Sequence, residues 1–446
     1  MALKSLLPFT QLLNPVRPTL TYLYGLQKFG MKLGLRNILE LLRSVGDPQK
    51  QFLSVHIAGT NGKGSTSAMI AAVLTAAGYK VGLYTSPHLV RFNERIRIDG
   101  AMISNRDLVR YAKMFLPQIK TLNATFFEAT TAIAFKYFAD AKIDIGIIET
   151  GLGGRLDATN VLVPEASIIT SIGKDHTEHL GNSLQKIAFE KGGIIKRNIA
   201  CISGVRPRSA LQELKRISKL RNSRLIDVHR TTSVKASIEK GETQVFTIET
   251  QKNSYRNLRL AVRGEFQVQN ARLAIAALEQ LSGKGFTISP ASIRKGFREL
   301  RRLTGIRGRF ESLHLNPTII LDVGHNPDGI SALVGELRRH RFSRLLLVFG
   351  VMKDKNYELM IRYLSELKPV VFAVQPQIDR ALFPEIIAES FQRKNCLAQA
   401  YHPLAYGVRL AMQRQEKNDL LLVCGSHYVA GEALPVIEKE LHRKSS

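Results

Sequence analysis

The sequence predicts an α/β protein in two units. The first is a mainly parallel, P-loop-type sheet with a small antiparallel extension, and the second is a smaller, Rossmann-like α/β unit. Three observations predict this. Strand-like and helix-like stretches alternate along residues 51–173. A glycine loop, "GTNGKGST" (59–66), joins the first strand to the first helix. A polar, basic segment, "RRLTGIRGRFES" (301–312), interrupts the alternation, which then restarts. At 446 residues the chain exceeds one ordinary core, so two domains are expected, 1–304 and 305–446.

Each element has its own justification. "QFLSVHIAG" (51–59) reads as a buried strand, and "STSAMIAAVLTAAG" (65–78) as an alanine-rich helix stopped by Gly78. "KVGLYTS" (80–86) is a second strand, which completes a βαβ unit. "FFEATTAIAFKYFADA" (126–141) reads as a helix, and "KIDIGIIET" (142–150) and "EASIITSIG" (165–173) as further strands. Residues 200–263 turn short, polar and alternating, as in "TSVKASIEK" and "TQVFTIET", and are expected to form the antiparallel extension. "QNARLAIAALEQLSG" (269–283) is a helix. Beyond the linker, "PTIILDVG", "RLLLVFG", "PVVFAV" and "NDLLLVCGS" are strands separated by helical stretches.

Bulk properties exclude several classes. The chain is 44% hydrophobic and 23% charged, and no apolar run approaches the roughly 18 residues of a membrane helix. The opening "MALKSLLPFTQLLNPVRP" is broken by Pro8 and Pro15 and makes a poor signal peptide. Cys201, Cys396 and Cys424 are far apart and form no CxxC pair, which fits a reducing cytoplasm. The net charge of +27 suits attraction of anions. Aromatic residues are sparse in the densest basic stretches (206–224 and 294–310), so no nucleic-acid partner is expected.

The glycine loop departs from the common G-x-x-x-x-G-K-[ST] spacing. Only Thr60 and Asn61 separate Gly59 from Gly62, and Gly64 follows Lys63 where a hydroxyl is usual. The backbone can still wrap phosphate, Lys63 can reach it, and the hydroxyl role passes to Ser65 or Thr66. Ligand crevices of open α/β sheets lie beyond the carboxyl ends of the strands. Ser86, Glu149, the Asp175–His176 pair, Asp322, His325 and Asn326 all follow predicted strands. A lone glutamate at such a place is commonly a loop partner. Together with the loop, these groups supply what Mg-nucleotide chemistry needs, with Glu149 as a Walker-B-like carboxylate.

At this point the residues resemble a known family. "HIAGTNGKGSTSAM", "YTSPHLVRFNERIRIDG", "TFFEATTAIAF", "ETGLGGRLDATN", "DHTEHLG", "IAFEKGGII", "DVGHNP" and "CGSHYVAGEAL" occur in this order. Together they resemble folylpolyglutamate synthase/dihydrofolate synthase, a branch of the Mur ligase superfamily, over nearly the whole chain. The match is weakest at about 200–263. The stretch "TYLYGLQKFGMKLGLRNILELLRSVGDP" (21–48) is similar to the N-terminal helices of this branch.

The resemblance implies an ATP-dependent amide ligase that works through an acyl phosphate. Its substrates would be L-glutamate, dihydropteroate and reduced folates, and a cytoplasmic monomer is implied. It also implies that Gly59, Thr60, Asn61, Gly62, Lys63, Gly64, Ser65, Thr66, Asn270, Arg309, Asp322 and His325 bind ATP. Ser86 and Glu149 would hold one Mg²⁺, and His176 a second. Lys191, in "EKGG", matches a lysine that the family carbamylates into a further metal ligand. Lys63, Lys191 and His176 would be catalytic. Pro87, His88, Phe126, Phe127 and Asp157 would line the pterin side. The departures are small: Arg307 stands where the family usually has proline, "EKGG" replaces "EKAG", and Asn356 stands where aspartate is frequent. The alternatives are another amino-acid ligase of the superfamily, or an anion- or nucleic-acid-associated ATPase.

Overall fold

The computed structural model describes residues 16–30, 34–240 and 243–445. Residues 1–15, most of the opening stretch expected to make a poor signal peptide, and residues 31–33 of the N-terminal helical region, lie outside the described residues.

The first sheet has eight strands. They are β1 (Leu53–Ala58), β2 (Val81–Tyr84), β3 (Ile96–Ile98), β4 (Ala101–Met102), β5 (Ile145–Glu149), β6 (Ala166–Ile169), β7 (Cys201–Ser203) and β8 (Leu225–Asp227). The spatial order is β4-β3-β2-β5-β1-β6-β7-β8. Every pair from β2 to β8 in that order is parallel, and only the β3 and β4 edge is antiparallel. The central strands are buried along nearly their whole length, as a sheet covered on both faces requires. One face carries the helices Lys63–Ala76 and Glu265–Ser282, and the other Asn105–Leu122 and Phe126–Asp140. Lys63–Ala76 is buried on all sides from Ser65 to Leu74 because other elements surround it. A Cβ on Gly296 of a neighbouring helix would sit 2.6 Å from the Val73 Cα.

A separate three-stranded antiparallel sheet follows, made of β9 (Thr232–Lys240), β10 (Thr243–Thr250) and β11 (Ser254–Leu260). It corrects the expectation for 200–263. Only the part from Thr232 is antiparallel, whereas β7 and β8 extend the main parallel sheet.

The third sheet holds β12 (Glu311–Leu315), β13 (Thr318–Leu321), β14 (Leu345–Phe349), β15 (Val370–Val374), β16 (Ala398–Tyr401) and β17 (Leu420–Cys424). Its order is β12-β13-β17-β14-β15-β16, parallel except for the β12–β13 hairpin. Apolar clusters cover both of its faces. Loops from the carboxyl ends of its strands meet those of the first sheet. Asn326, after β13, exchanges side-chain hydrogen bonds of 3.1 and 3.0 Å with Asn61, after β1. The crevice between these ends is the place such sheets offer a ligand.

Candidate active site

The loop after β1 reaches the helix Lys63–Ala76 through Gly62, which is left-handed at φ +86°. A side chain there would be strained, and its Cβ would lie 2.3 Å from the Asn270 Oδ1. The loop is pinned from β6. The Thr60 hydroxyl donates to the Gly173 carbonyl (3.2 Å) and accepts from its N–H (3.0 Å), and the Asn61 N–H donates to the Ser171 hydroxyl (2.9 Å). Lys63 opens the helix and folds back, donating to the carbonyls of Gly59 (3.1 Å) and Thr60 (3.3 Å). The helix N-terminus and this ammonium together favour an anion. Ser65 faces the crevice, whereas Thr66 is fully buried behind it. Of the two hydroxyls left open by the sequence, the structure therefore brings Ser65 to the site.

Three adjoining cavities share walls here. A cavity of about 340 Å³ is lined by Asn61, Gly62, Ser65, Asn270, Arg309, Asp322 and His325. A small polar pocket of about 110 Å³ lies over the loop and contains Lys63, Ser86, Glu149, His176 and Lys191. An open, mostly apolar cavity of about 840 Å³ continues from Ser86, Pro87 and His176 to Phe126, Phe127 and Asp157.

The polar pocket concentrates charge away from water. Glu149 ends β5, and burial raises its pKa against the pull of Lys63, 4.0 Å away, and of Arg309. The Ser86 N–H donates to its Oε2 at 3.3 Å. Burial, and secondarily Lys63, lowers Lys191 to about 7, and its amine donates to the Gly59 carbonyl at 2.8 Å. Burial also lowers His176 to about 4, so its imidazole is neutral near pH 7 and keeps a lone pair. A buried carboxylate, a hydroxyl, a neutral imidazole and a readily neutralised amine suit a divalent cation, whose charge would also offset the burial of Glu149.

Across the crevice, Arg309 is half-buried, with its guanidinium 3.3 Å from where a Cβ on Gly64 would lie. Asp322 accepts the N–H groups of Phe310 (2.8 Å) and Gly324 (2.7 Å), and burial raises its pKa.

The apolar cavity has a flat wall. Phe126 stacks on Tyr24 at 5.6 Å and 15°. Phe127 closes over Gly151, where a Cβ would meet its ring at 2.5 Å. Asp157 is buried and shapes the glycine turn by accepting the N–H groups of Gly151 (2.9 Å) and Leu152 (2.8 Å). The structure places His88 behind this wall. Its Nδ1 accepts from the Arg95 Nε at 2.8 Å, and it does not line the large cavity.

Sequence reasoning singled out neither Arg95, Lys355 nor His427. Arg95 is buried in the cavity wall, its guanidinium 5.2 Å from the Phe126 ring. Asp175 collects Lys355 (2.6 Å), the Asn326 amide (3.0 Å) and His325 (3.6 Å) from the far side. Burial alone would raise this carboxyl, but His325, His176 and Lys355 hold it well below the usual range. His427, half-buried and neutral, lines both the polar pocket and the apolar cavity. In the sequence His427 stands just after a predicted strand, inside the quoted "CGSHYVAGEAL".

Comparison with known proteins agrees with this geometry. Residues 57–278 match the Mur ligase middle domain, and residues 308–427 the Mur ligase, glutamate ligase domain. The chain is 34% identical to the dihydrofolate synthase/folylpolyglutamate synthase of Bacillus subtilis over 420 residues, 92% of this chain and 96% of that one. It is similar in structure to E. coli FolC in complex with DHPP and ADP, with a TM-score of 0.85 and 28% identity over 96% of this chain and 99% of that one. Mycobacterium tuberculosis folylpolyglutamate synthase complexed with ADP and AMPPCP gives a TM-score of 0.87 and 29% identity over 94% and 98% of the two chains. On identity and coverage of this extent, the chain belongs to the dihydrofolate synthase/folylpolyglutamate synthase family of Mur ligases.

Proposed function

We propose that this protein is an ATP-dependent amide ligase that adds L-glutamate to dihydropteroate and, in turn, to reduced folates. One observation carries the reading. The nucleotide-sized cavity, the polar pocket and the large apolar cavity adjoin, and Lys63, Ser86, Glu149, His176 and Lys191 stand between the outer two. A phosphoryl group and a carboxylate entering from opposite sides would meet there. The names of the relatives support the choice of acceptors.

ATP occupies the first cavity, against Asn270, Arg309, Asp322 and His325, with its phosphates on the 59–65 backbone and Lys63. The acceptor's pterin lies along Phe126 and Phe127 and presents its carboxylate to the polar pocket. A carboxylate oxygen attacks the γ-phosphorus and ADP leaves. The glutamate amine then attacks the acyl carbon, and phosphate leaves with the former carboxylate oxygen. Lys63 and the loop N–H groups offset the charge that builds up in both steps. Ser86 and Glu149 would hold one Mg²⁺, and His176 with Lys191 a second. When bound, these ions neutralise the phosphate oxygens. A pKa near 7 lets Lys191 present a neutral amine, which adds to CO₂, loses a proton and becomes an anionic carbamate.

The Asn61–Asn326 pair and the Lys355–Asp175 bridge close the crevice over the acyl phosphate and keep water out. On this reading the closing halves are residues 1–304 and 305–446, and the enzyme works as a cytoplasmic monomer. The test supplies purified protein with ATP, Mg²⁺, glutamate and either dihydropteroate or a reduced folate. Glutamate-dependent phosphate release and a mass gain of one glutamate residue are expected with each. No product from either acceptor would sink the proposal.

A further inference from the structure

A second cluster lies outside all three cavities of the active site. Glu239 comes from β9, Glu336 from the helix Pro327–Leu337, and His340 from just beyond that helix. The His340 Nε2 stands 3.7 Å from the Glu239 Oε2 and 3.8 Å from the Glu336 Oε1. One donor atom from each residue falls within 4.8 Å of the others.

The two spacings to His340 are too long for hydrogen bonds and suit donors that share an ion. An ion about 2.1 Å from two donors so spaced sees them at roughly 125°, a little wider than tetrahedral. Glu336 is only 2% exposed, and its Oε1 and the His340 Nε2 are buried with no hydrogen-bond partner. The other Glu336 oxygen is already engaged by the Glu265 N–H at 2.9 Å. Buried polar atoms left unpaired in this way carry a cost that a ligand would remove.

We propose that Glu239, Glu336 and His340 form a site for a zinc-class divalent metal that ties the antiparallel extension to the C-terminal α/β unit. Arg263 lies 3.5 Å from Glu239, and Arg339 lies 3.9 Å from Glu336. These cations weaken the site for hard ions held by charge alone, whereas the imidazole nitrogen favours a borderline transition metal over Mg²⁺ or Ca²⁺. His340 also packs against Phe310 at 5.4 Å, and Phe310 follows Arg309, which lines the nucleotide cavity. A metal here would therefore brace the joint that carries Arg309. The proposal does not depend on which acceptor the enzyme uses.

The experiment uses the full chain, stripped with chelator and held with Mg-ADP so that the catalytic pocket is filled. It is titrated with Zn²⁺ by calorimetry, and its metal content is measured after desalting. One equivalent is expected, with a rise in Tm. E239Q and H340Q, on different elements, should each weaken binding by at least about 10–100-fold, the range set by the outer partners of a metal site alone. E149Q should leave this equivalent in place. Circular dichroism without zinc checks that each variant folds. No stoichiometric zinc in the native protein, or unchanged binding in both folded variants, would overturn the proposal.

Discussion

Replacing Gly62 by alanine tests the loop through two separable effects. The first is local. Gly62 sits at φ +86°, where an L-residue costs about 1–2 kcal/mol, and this should appear as lost stability. The second reaches the ligand. The new Cβ would lie 2.3 Å from the Asn270 Oδ1, so the Asn270 amide must move. Asn270 lines the nucleotide cavity and donates to the Gln267 Oε1 at 3.0 Å. Displacing it costs about one hydrogen bond, roughly 1–1.5 kcal/mol, or a ~5–15-fold fall in kcat/KM for ATP. The assay is a double-mutant cycle of G62A and N270A, read by steady-state kinetics with ATP varied. N270A removes the atom that G62A collides with, so the kinetic cost of G62A should shrink by at least about 1 kcal/mol in its presence. Equal costs in both backgrounds would show that the collision does not occur and that Asn270 is not placed as described.

Other perturbations probe other parts of the site. Lys63→Ala should remove most ATP turnover, about 10²–10³-fold in kcat, measured by coupled ADP release, and near-native turnover would contradict the loop assignment. Lys191 should take up ¹³CO₂ as a carbamate visible by NMR, increasingly as pH rises through about 7, and K191A should lack that signal. The depressed pKa also has a sign for stability. The folded state binds fewer protons than the unfolded between about 7 and 10.5, so the penalty for burying Lys191 is complete below that window and fades across it. The stability of K191M relative to native should therefore fall as pH rises through the window, and a flat difference in denaturant melts would contradict this. Asn326→Asp keeps the cap on Gly329 but loses the donor to Asn61 and faces Asp175 with a like charge. It should reduce kcat/KM by about tenfold with little loss of helix stability. Phe126→Ala should raise the KM for the pterin acceptor more than that for ATP.

Strand-end chemistry was legible because it is local. A run of buried-type residues closing in Glu149, Ser86 or Asp322 announces both the strand and the group at its mouth. The three-residue strands β7 and β8 were not legible. Their apolar runs are too short to show burial on two faces, so the surrounding polar alternation dominated and the antiparallel reading spread back to residue 200. The helix after the loop begins at Lys63 rather than Ser65, because a left-handed glycine and not a Ser or Thr cap starts it. Pairs set by tertiary packing left no trace in the sequence. Asp175 and Lys355 are 180 residues apart, and nothing near either one announces the other. His88 looked like a cavity residue from its place in "SPHL", yet the turn directs its ring to Arg95.

The central claim is that a carboxylate, not water, receives the γ-phosphate in the pocket between Lys63 and Glu149. Dihydropteroate labelled with ¹⁸O in its carboxylate, incubated with ATP, Mg²⁺, glutamate and the enzyme, tests it directly. The account predicts one ¹⁸O in the released phosphate for each glutamate ligated, read by mass spectrometry. Phosphate carrying no label while product forms would contradict it.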